Sequence, residues 1–300
     1  MHVQTTEFVH RVAITGGRGR LAQLIASFLR GRGYEVVLFS RTEGKGFQQL
    51  ADLLDPTILS CFTLILHTAW STLPFTSEED PGREHREDLP FLRQLLESIT
   101  QVIEMGSIPK LVFFSSASVY GNTRNDPVTE KIMPHPLSRY AHAKLAAEEM
   151  ILMRTREIPL LKPVILRITN ILGMLSNPKY PQGILPRMIA VGRTNEILTI
   201  WGDGRCSKNY LWIDDFLLAV KALVDRPICG IFNIGSGENF SLLELLALVE
   251  GAMKVTLKVH YRDPYLWDVT HASIDSSKFS KVTGWRPTKK IAEEIKKLLA

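Results

Sequence analysis

The chain has 300 residues, 45% of them apolar and 22% charged, and its 36 Lys+Arg against 31 Asp+Glu give a formal charge of +5. That is ordinary globular composition, which excludes a fibre or a disordered tail protein, and the length suffices for a large core in one or two domains. Lys and Arg are spread out, so no nucleic-acid partner is expected. No apolar run nears the roughly 18 residues of a membrane span, so a cytoplasmic location is the default expectation.

In chain order, residues 11–15 (RVAIT) form an apolar, β-prone run. Gly16-Gly17-Arg18-Gly19 follows, and Leu21, Leu24, Ile25, Phe28 and Leu29 then recur at helical spacing until Gly31 and Gly33 stop the helix. Residues 35–39 (EVVLF) read as a strand buried on both faces, and 47–51 as a weaker third strand. Strands at 63–67, 110–115 and 163–168 alternate with helices at 88–105 and 138–153. This alternation predicts an α/β fold, a Rossmann-like doubly wound parallel sheet built from right-handed βαβ units. After Gly173 the rhythm breaks. Pro178, Pro181, Gly183 and Pro186 read as an irregular loop. Short elements follow at 210–213, 230–233, 242–253, 256–260 and 289–299. The expected division is a dinucleotide-binding domain over 1–172, with 206–230 returning to it, and a smaller substrate domain over 173–300 closing on the sheet edge where open α/β folds bind ligands. The scattered Cys61, Cys206 and Cys229 form no CxxC, so neither a disulfide framework nor a metal site is expected.

Three constellations carry chemistry. Between the first strand and helix, Gly16-x-x-Gly19-x-x-Ala22 lets backbone approach a pyrophosphate, with Arg18, Arg20 and Leu21 in the same turn. After strand two, where a carboxylate would select NAD, stand Ser40 and Arg41. A guanidinium suits a 2′-phosphate, so NADP(H) is favoured over NAD(H). Asp52, Leu53 and Asp55 are expected near the adenine, and His67-Thr68-Ala69 ends a strand where the cofactor should lie. Tyr140-x-x-x-Lys144 stacks a phenol and an ammonium on one helix face, and the cation makes the phenol a usable proton carrier. Ser116, at the end of the preceding strand, adds a hydroxyl for the same substrate oxygen.

These residues, with TGGRGRLA (15–22), ILHTAW (65–70), FFSSASVYG (113–121), PLSRYAHAK (136–144), LRITNILG (166–173), GILPRMI (183–189), WGDGRCSKNYLWIDD (201–215), FNIGSGENFSLLEL (232–245) and GWRP (284–287), resemble an extended short-chain dehydrogenase/reductase of the NAD-dependent epimerase/dehydratase family, whose members act on nucleotide-diphosphate sugars. The resemblance runs from about Val9 to Pro287. It implies a catalytic Ser116, Tyr140 and Lys144, a diphosphate contact from Asn170, and a nucleobase stacked on Trp201. It also implies phosphate-side cations at Lys208 and Arg262, and a sugar pocket lined around Trp70 and Ser71. Related dehydratases carry an Asp-Glu pair where this chain has Ala117-Ser118, which disfavours dehydration. His135 and His142 read as surface residues flanking a helix. The favoured activity is NADPH-dependent reduction of an NDP-4-keto-6-deoxysugar. The alternatives are a nucleotide-sugar 4-epimerase and, less favoured, a non-catalytic NADP-binding regulator. The resemblance also implies a homodimer that pairs the helices at 88–105 and 138–153.

Overall fold

The computed structural model describes residues 11–123, 127–174 and 183–300. Its strands are β1 (Arg11–Thr15), β2 (Glu35–Ser40), β3 (Gln48–Gln49), β4 (Leu64–His67), β5 (Lys110–Ser116), β6 (Val164–Ile168), β7 (Asn170–Leu172), β8 (Ile197–Trp201), β9 (Ser207–Trp212), β10 (Gly230–Ile234), β11 (Glu238–Ser241), β12 (Lys258–Arg262) and β13 (His271–Ala272). The helices are α1 (Arg20–Arg30), α2 (Pro56–Leu59), α3 (Pro74–Glu79), α4 (Arg83–Glu104), α5 (Arg139–Glu157), α6 (Ile184–Thr194), α7 (Ile213–Val224), α8 (Leu242–Met253), α9 (Ser277–Thr283) and α10 (Ile291–Leu299). Among the described residues no helix is long and apolar enough to cross a membrane.

A seven-stranded sheet runs in the order β10-β6-β5-β4-β1-β2-β3. β1 lies between β2 and β4, parallel to both, with Thr15 opposite Phe39 and His67. The strands nearest the centre are almost wholly apolar and buried, as a sheet covered on both faces requires. The chain order reverses at β1, and crevices at such switch points take ligands in open α/β folds. A smaller mixed sheet centres on β9, which pairs antiparallel with β11 and parallel with β7 and β13. β12 and β8 form a separate parallel pair.

Cα packing separates two compact units. Unit 1 comprises residues 1–72, 82–114 and 147–164, and unit 2 comprises 73–81, 115–146 and 165–300.

The structure corrects several sequence expectations. The third strand shrinks to two residues, because Leu50–Leu54 turn into a 3₁₀ helix that buries Leu50 and Leu53. α4 begins five residues earlier than expected, after Gly82 in a left-handed conformation. Gly183 and Pro186 open α6 instead of a loop: proline in a first helical turn blocks no hydrogen bond the helix would make. Pro178 and Pro181 lie outside the described residues. β12 starts at Lys258 instead of position 256, and α10 at Ile291 instead of 289.

Candidate functional site

In unit 1 the site begins where β1 ends. Gly16 has φ +71°, and a Cβ there would lie 2.9 Å from the Ala69 Cα. The Gly17 N–H donates to the Phe39 carbonyl at 2.8 Å and the Gly19 N–H to the Gly16 carbonyl at 2.7 Å, which folds the loop tightly onto β2. Gly19 caps α1 without any side chain, and no acidic residue sits in the first turn. The positive end of the helix dipole is therefore left for an anion. Beside it the Arg20 Nε is buried with no hydrogen-bond partner among the described residues. Burial pushes the Arg20 guanidinium pKa down. A buried donor of this kind calls for an acceptor such as a phosphate oxygen.

Beyond the loop lies a cavity of about 470 Å³, lined among others by Arg41, Leu50, Ala51, Leu54, His67 and Ala69, and by Glu87 and Asp88 from α4. Its mixture of apolar walls and a few polar groups is typical of a cofactor pocket. The 3₁₀ helix presents Leu50, Ala51 and Leu54 to this space. Asp52 points instead to solvent, Leu53 is fully buried, and the Asp55 carboxylate caps α2 by accepting from the Thr57 N–H at 2.8 Å. Asp52, Leu53 and Asp55 are not among the residues lining this cavity. His67 is buried; Thr15 Oγ1 lies 2.8 Å from its Nδ1, and Phe91 and Phe113 stack on its ring. The Thr68 hydroxyl donates to the Thr15 carbonyl, and the Ala69 N–H to Thr15 Oγ1. These bonds fix the end of β4 against the glycine loop. The Trp70 ring meets Phe113 edge-on, and the Ser71 N–H and hydroxyl both donate to the Asp88 carboxylate.

Arg41, nominated for a 2′-phosphate, and Arg18 of the glycine loop are both engaged by the chain. Arg18 donates to the carbonyls of Thr42 and Glu43 and lies over the Phe47 ring. Arg41 Nη1 donates to the Glu87 carboxylate, whose other oxygen takes Arg83 Nε at 3.0 Å. Burial pushes the Glu87 carboxyl upward, but the hydrogen bonds and charges of Arg41 and Arg83 hold it below the usual carboxylate range. Ser40 is buried at the end of β2, and its hydroxyl reaches only the Thr42 hydroxyl and N–H.

Unit 2 carries the residues expected from the sequence to transfer the proton. Ser116 ends β5 and caps the 3₁₀ turn of Ala117–Tyr120, accepting from the Ser118 N–H at 3.2 Å and from its hydroxyl at 2.9 Å. The turn is pinned from below: Arg167 donates to the Tyr120 hydroxyl at 2.9 Å, which donates to Asn233 at 2.8 Å. Burial pushes the Tyr120 phenol up despite the neighbouring Arg167 cation. α5 starts where Ser138 Oγ accepts from the Ala141 N–H and Glu78 accepts from the Arg139 N–H. One turn on, the Lys144 Nζ lies 5.8 Å from the Tyr140 ring centroid, with Lys144 only 3% exposed.

The residues expected at the nucleotide end sit on the smaller sheets. Trp201, the last residue of β8, contacts the Tyr265 ring at 4.5 Å, and Tyr265 stacks on Trp267 at 4.7 Å. Arg262 lies opposite Trp201 in the β12–β8 register, its guanidinium 5.2 Å from the indole. Lys208 pairs with Asp268 at 2.6 Å, and the exposed Asn170 donates to the Asn209 carbonyl at 3.1 Å.

The model of the NAD dependent epimerase/dehydratase family matches residues 12–235. The chain belongs to that family. It is 26% identical over 312 residues to the UDP-glucose 4-epimerase of Mycolicibacterium smegmatis, with 96% of each chain covered. A crystal structure of the Thermus thermophilus UDP-glucose 4-epimerase in complex with NAD superposes with a TM-score of 0.83 at 27% identity, covering 95% of this chain and 96% of that one. The Thermotoga maritima UDP-glucose 4-epimerase with UDP-glucose shares the fold with a TM-score of 0.85 at 24% identity, over 95% and 96% of the two chains.

The family fixes the enzyme class and a nicotinamide dinucleotide as cofactor. The residues of unit 1 fit such a group: a glycine whose Cβ would collide with Ala69, an uncapped helix N-terminus, a buried unpartnered Arg20 Nε and a cavity beyond. Sequence reasoning missed Glu87, Tyr265, Trp267 and Asp268. Arg83 and Glu87 stand at i,i+4 spacing, which signals a pair, but nothing local signals that the same carboxylate meets Arg41 forty-six residues away.

Proposed function

We propose that this member of the epimerase/dehydratase family is a nucleotide-sugar 4-epimerase that keeps its dinucleotide, with Ser116, Tyr140 and Lys144 as its catalytic set. The observation that carries the reading is the buried Lys144 ammonium beside the Tyr140 ring on α5. Supporting it, the positions where dehydration needs two carboxylates hold Ala117 and Ser118. The ketoreductase reading leaned on a guanidinium ready for the 2′-phosphate of a consumed NADPH. Arg41 is instead bound by Glu87, and the relatives named above are 4-epimerases.

A nicotinamide bound in the unit 1 pocket would supply reversible hydride acceptance at C4 of the sugar. The Tyr140 phenolate accepts the proton of the C4 hydroxyl and gives it back. The Ser116 hydroxyl donates to that same oxygen and orients it. Inversion requires the oxidised sugar to present its opposite face before the hydride returns. The nucleotide must therefore stay anchored while the sugar turns. Trp201, Lys208, Arg262 and Asn170 are the proposed anchors, and Trp70 and Ser71 the proposed lining of the sugar space.

The test uses UDP-glucose with the purified chain and NAD⁺. Tyr140→Phe is expected to lower isomerisation by roughly 100-fold or more while NAD⁺ binding persists. Undiminished turnover in that variant overturns the catalytic assignment. Steady loss of NADPH absorbance with an NDP-4-ketosugar, and no isomer exchange, returns the reading to a ketoreductase. Tight dinucleotide binding with no turnover of any NDP-sugar points to the regulator.

A further inference from the structure

At the unit 1 cavity the Arg41 guanidinium after β2 meets the Glu87 carboxylate on α4, and Glu87 also pairs with the Arg83 guanidinium one turn before it. Arg41 and Glu87 both line the cavity. The neighbouring acid, Asp88, also lines the cavity, but its carboxylate accepts from the Ser71 N–H and hydroxyl. Glu87 is therefore the carboxylate turned toward Arg41. The strand-two position that ordinarily carries an acid for the ribose hydroxyls holds the buried Ser40.

We infer that Glu87 sets the cofactor selectivity of this chain: from α4, it occupies Arg41 and places a negative charge where the 2′-phosphate of NADP(H) would have to sit. The argument is electrostatic. A phosphate entering this rim must displace a carboxylate from Arg41 and then lie beside it, so repulsion offsets whatever the guanidinium gives. A 2′-hydroxyl, being neutral and able to donate, meets the same carboxylate as an acceptor. Taking away the Glu87 charge frees the Arg41 guanidinium at the cavity for a phosphate. The inference rests on the reading of this cavity as the dinucleotide pocket, and not on the sugar chemistry.

The experiment measures binding of NAD⁺ and NADP⁺ by calorimetry, with no sugar present, for the wild type, Glu87→Gln, Arg41→Ala and the double variant. The wild type is expected to bind NAD⁺ the more tightly. Glu87→Gln should raise the NADP⁺/NAD⁺ affinity ratio about tenfold or more. Arg41→Ala should, in the double variant, erase the NADP⁺ gain. The pair 2′,5′-ADP and 5′-ADP should repeat the pattern and assign it to the 2′ position. A wild type that prefers NADP⁺, or a Glu87→Gln variant with an unchanged NADP⁺/NAD⁺ ratio, overturns the inference. Failure of the 4-epimerase reading would show separately, as absent sugar isomerisation by a chain that still discriminates the dinucleotides.

Discussion

At Gly16 the backbone takes a left-handed conformation open to few residues other than glycine, and the space where a Cβ would project is filled by the Ala69 backbone. Gly16→Ala is therefore expected to destabilise the chain by about 1–3 kcal/mol, read from urea denaturation. It should also weaken NAD⁺ binding, because the loop that carries the α1 N-terminus must shift. An unchanged midpoint and unchanged binding would contradict this packing. Gly16 was legible in the sequence, since a glycine turn between a strand and a helix declares its own geometry. The roles of Arg41 and Glu87 were not. An isolated arginine after β2 reads as a phosphate ligand until the fold brings a carboxylate from α4 against it. Lys208 is similar: its partner Asp268 lies sixty residues away.

Among the elements, α8 shows how a local pattern settles a boundary. The Ser241 hydroxyl accepts from the Glu244 N–H, and the Glu244 carboxylate accepts from the Ser241 N–H and hydroxyl. This reciprocal cap puts the helix start at Leu242, where the sequence placed it. The backbone bond from Ser241, then its hydroxyl, hold the Glu244 carboxyl below the usual carboxylate range. A depressed folded pKa means the contribution is complete above the unfolded value and is lost as pH falls through the folded one. Ser241→Ala is expected to cost about 1 kcal/mol at neutral pH. Glu244→Gln should narrow its stability gap from the wild type in acid, as followed by thermal melts across a pH series. α10 depends on a distant clamp instead. The fully buried Asp215 carboxylate accepts from the Thr288 N–H and hydroxyl and the Lys289 N–H, while its carbonyl accepts from Trp285 Nε1. Asp215→Ala would strip the acceptor from donors in the segment leading into α10, with an expected loss of about 2–4 kcal/mol in chemical denaturation. α7 escaped the sequence reading because its apolar residues surround the helix almost completely, leaving no stripe to detect.

Across the whole chain, the central strands of the large sheet were legible because burial on both faces demands continuous apolar runs. The smaller sheets were not, since β7, β8 and β13 are short and hold their places through partners far along the chain. The homodimer implied by resemblance is kept as a proposal with a revised surface. Leu89, Leu92, Leu95 and Leu96 of α4 and Ile151 of α5 are buried within the chain, so a partner copy would have to meet outward residues such as Met105 and Met153. Sedimentation velocity at micromolar concentration should give twice the chain mass, and Met153→Glu should lower it. A monomer throughout would remove the proposal.

The tyrosine held between Trp201 and Trp267 has an optical consequence. Two of the five tryptophans of this chain share electronic contact through one phenol ring. Their emission and near-ultraviolet dichroism should therefore change whenever the segment around Tyr265 leaves Trp201, so that movement can be watched without attaching a dye.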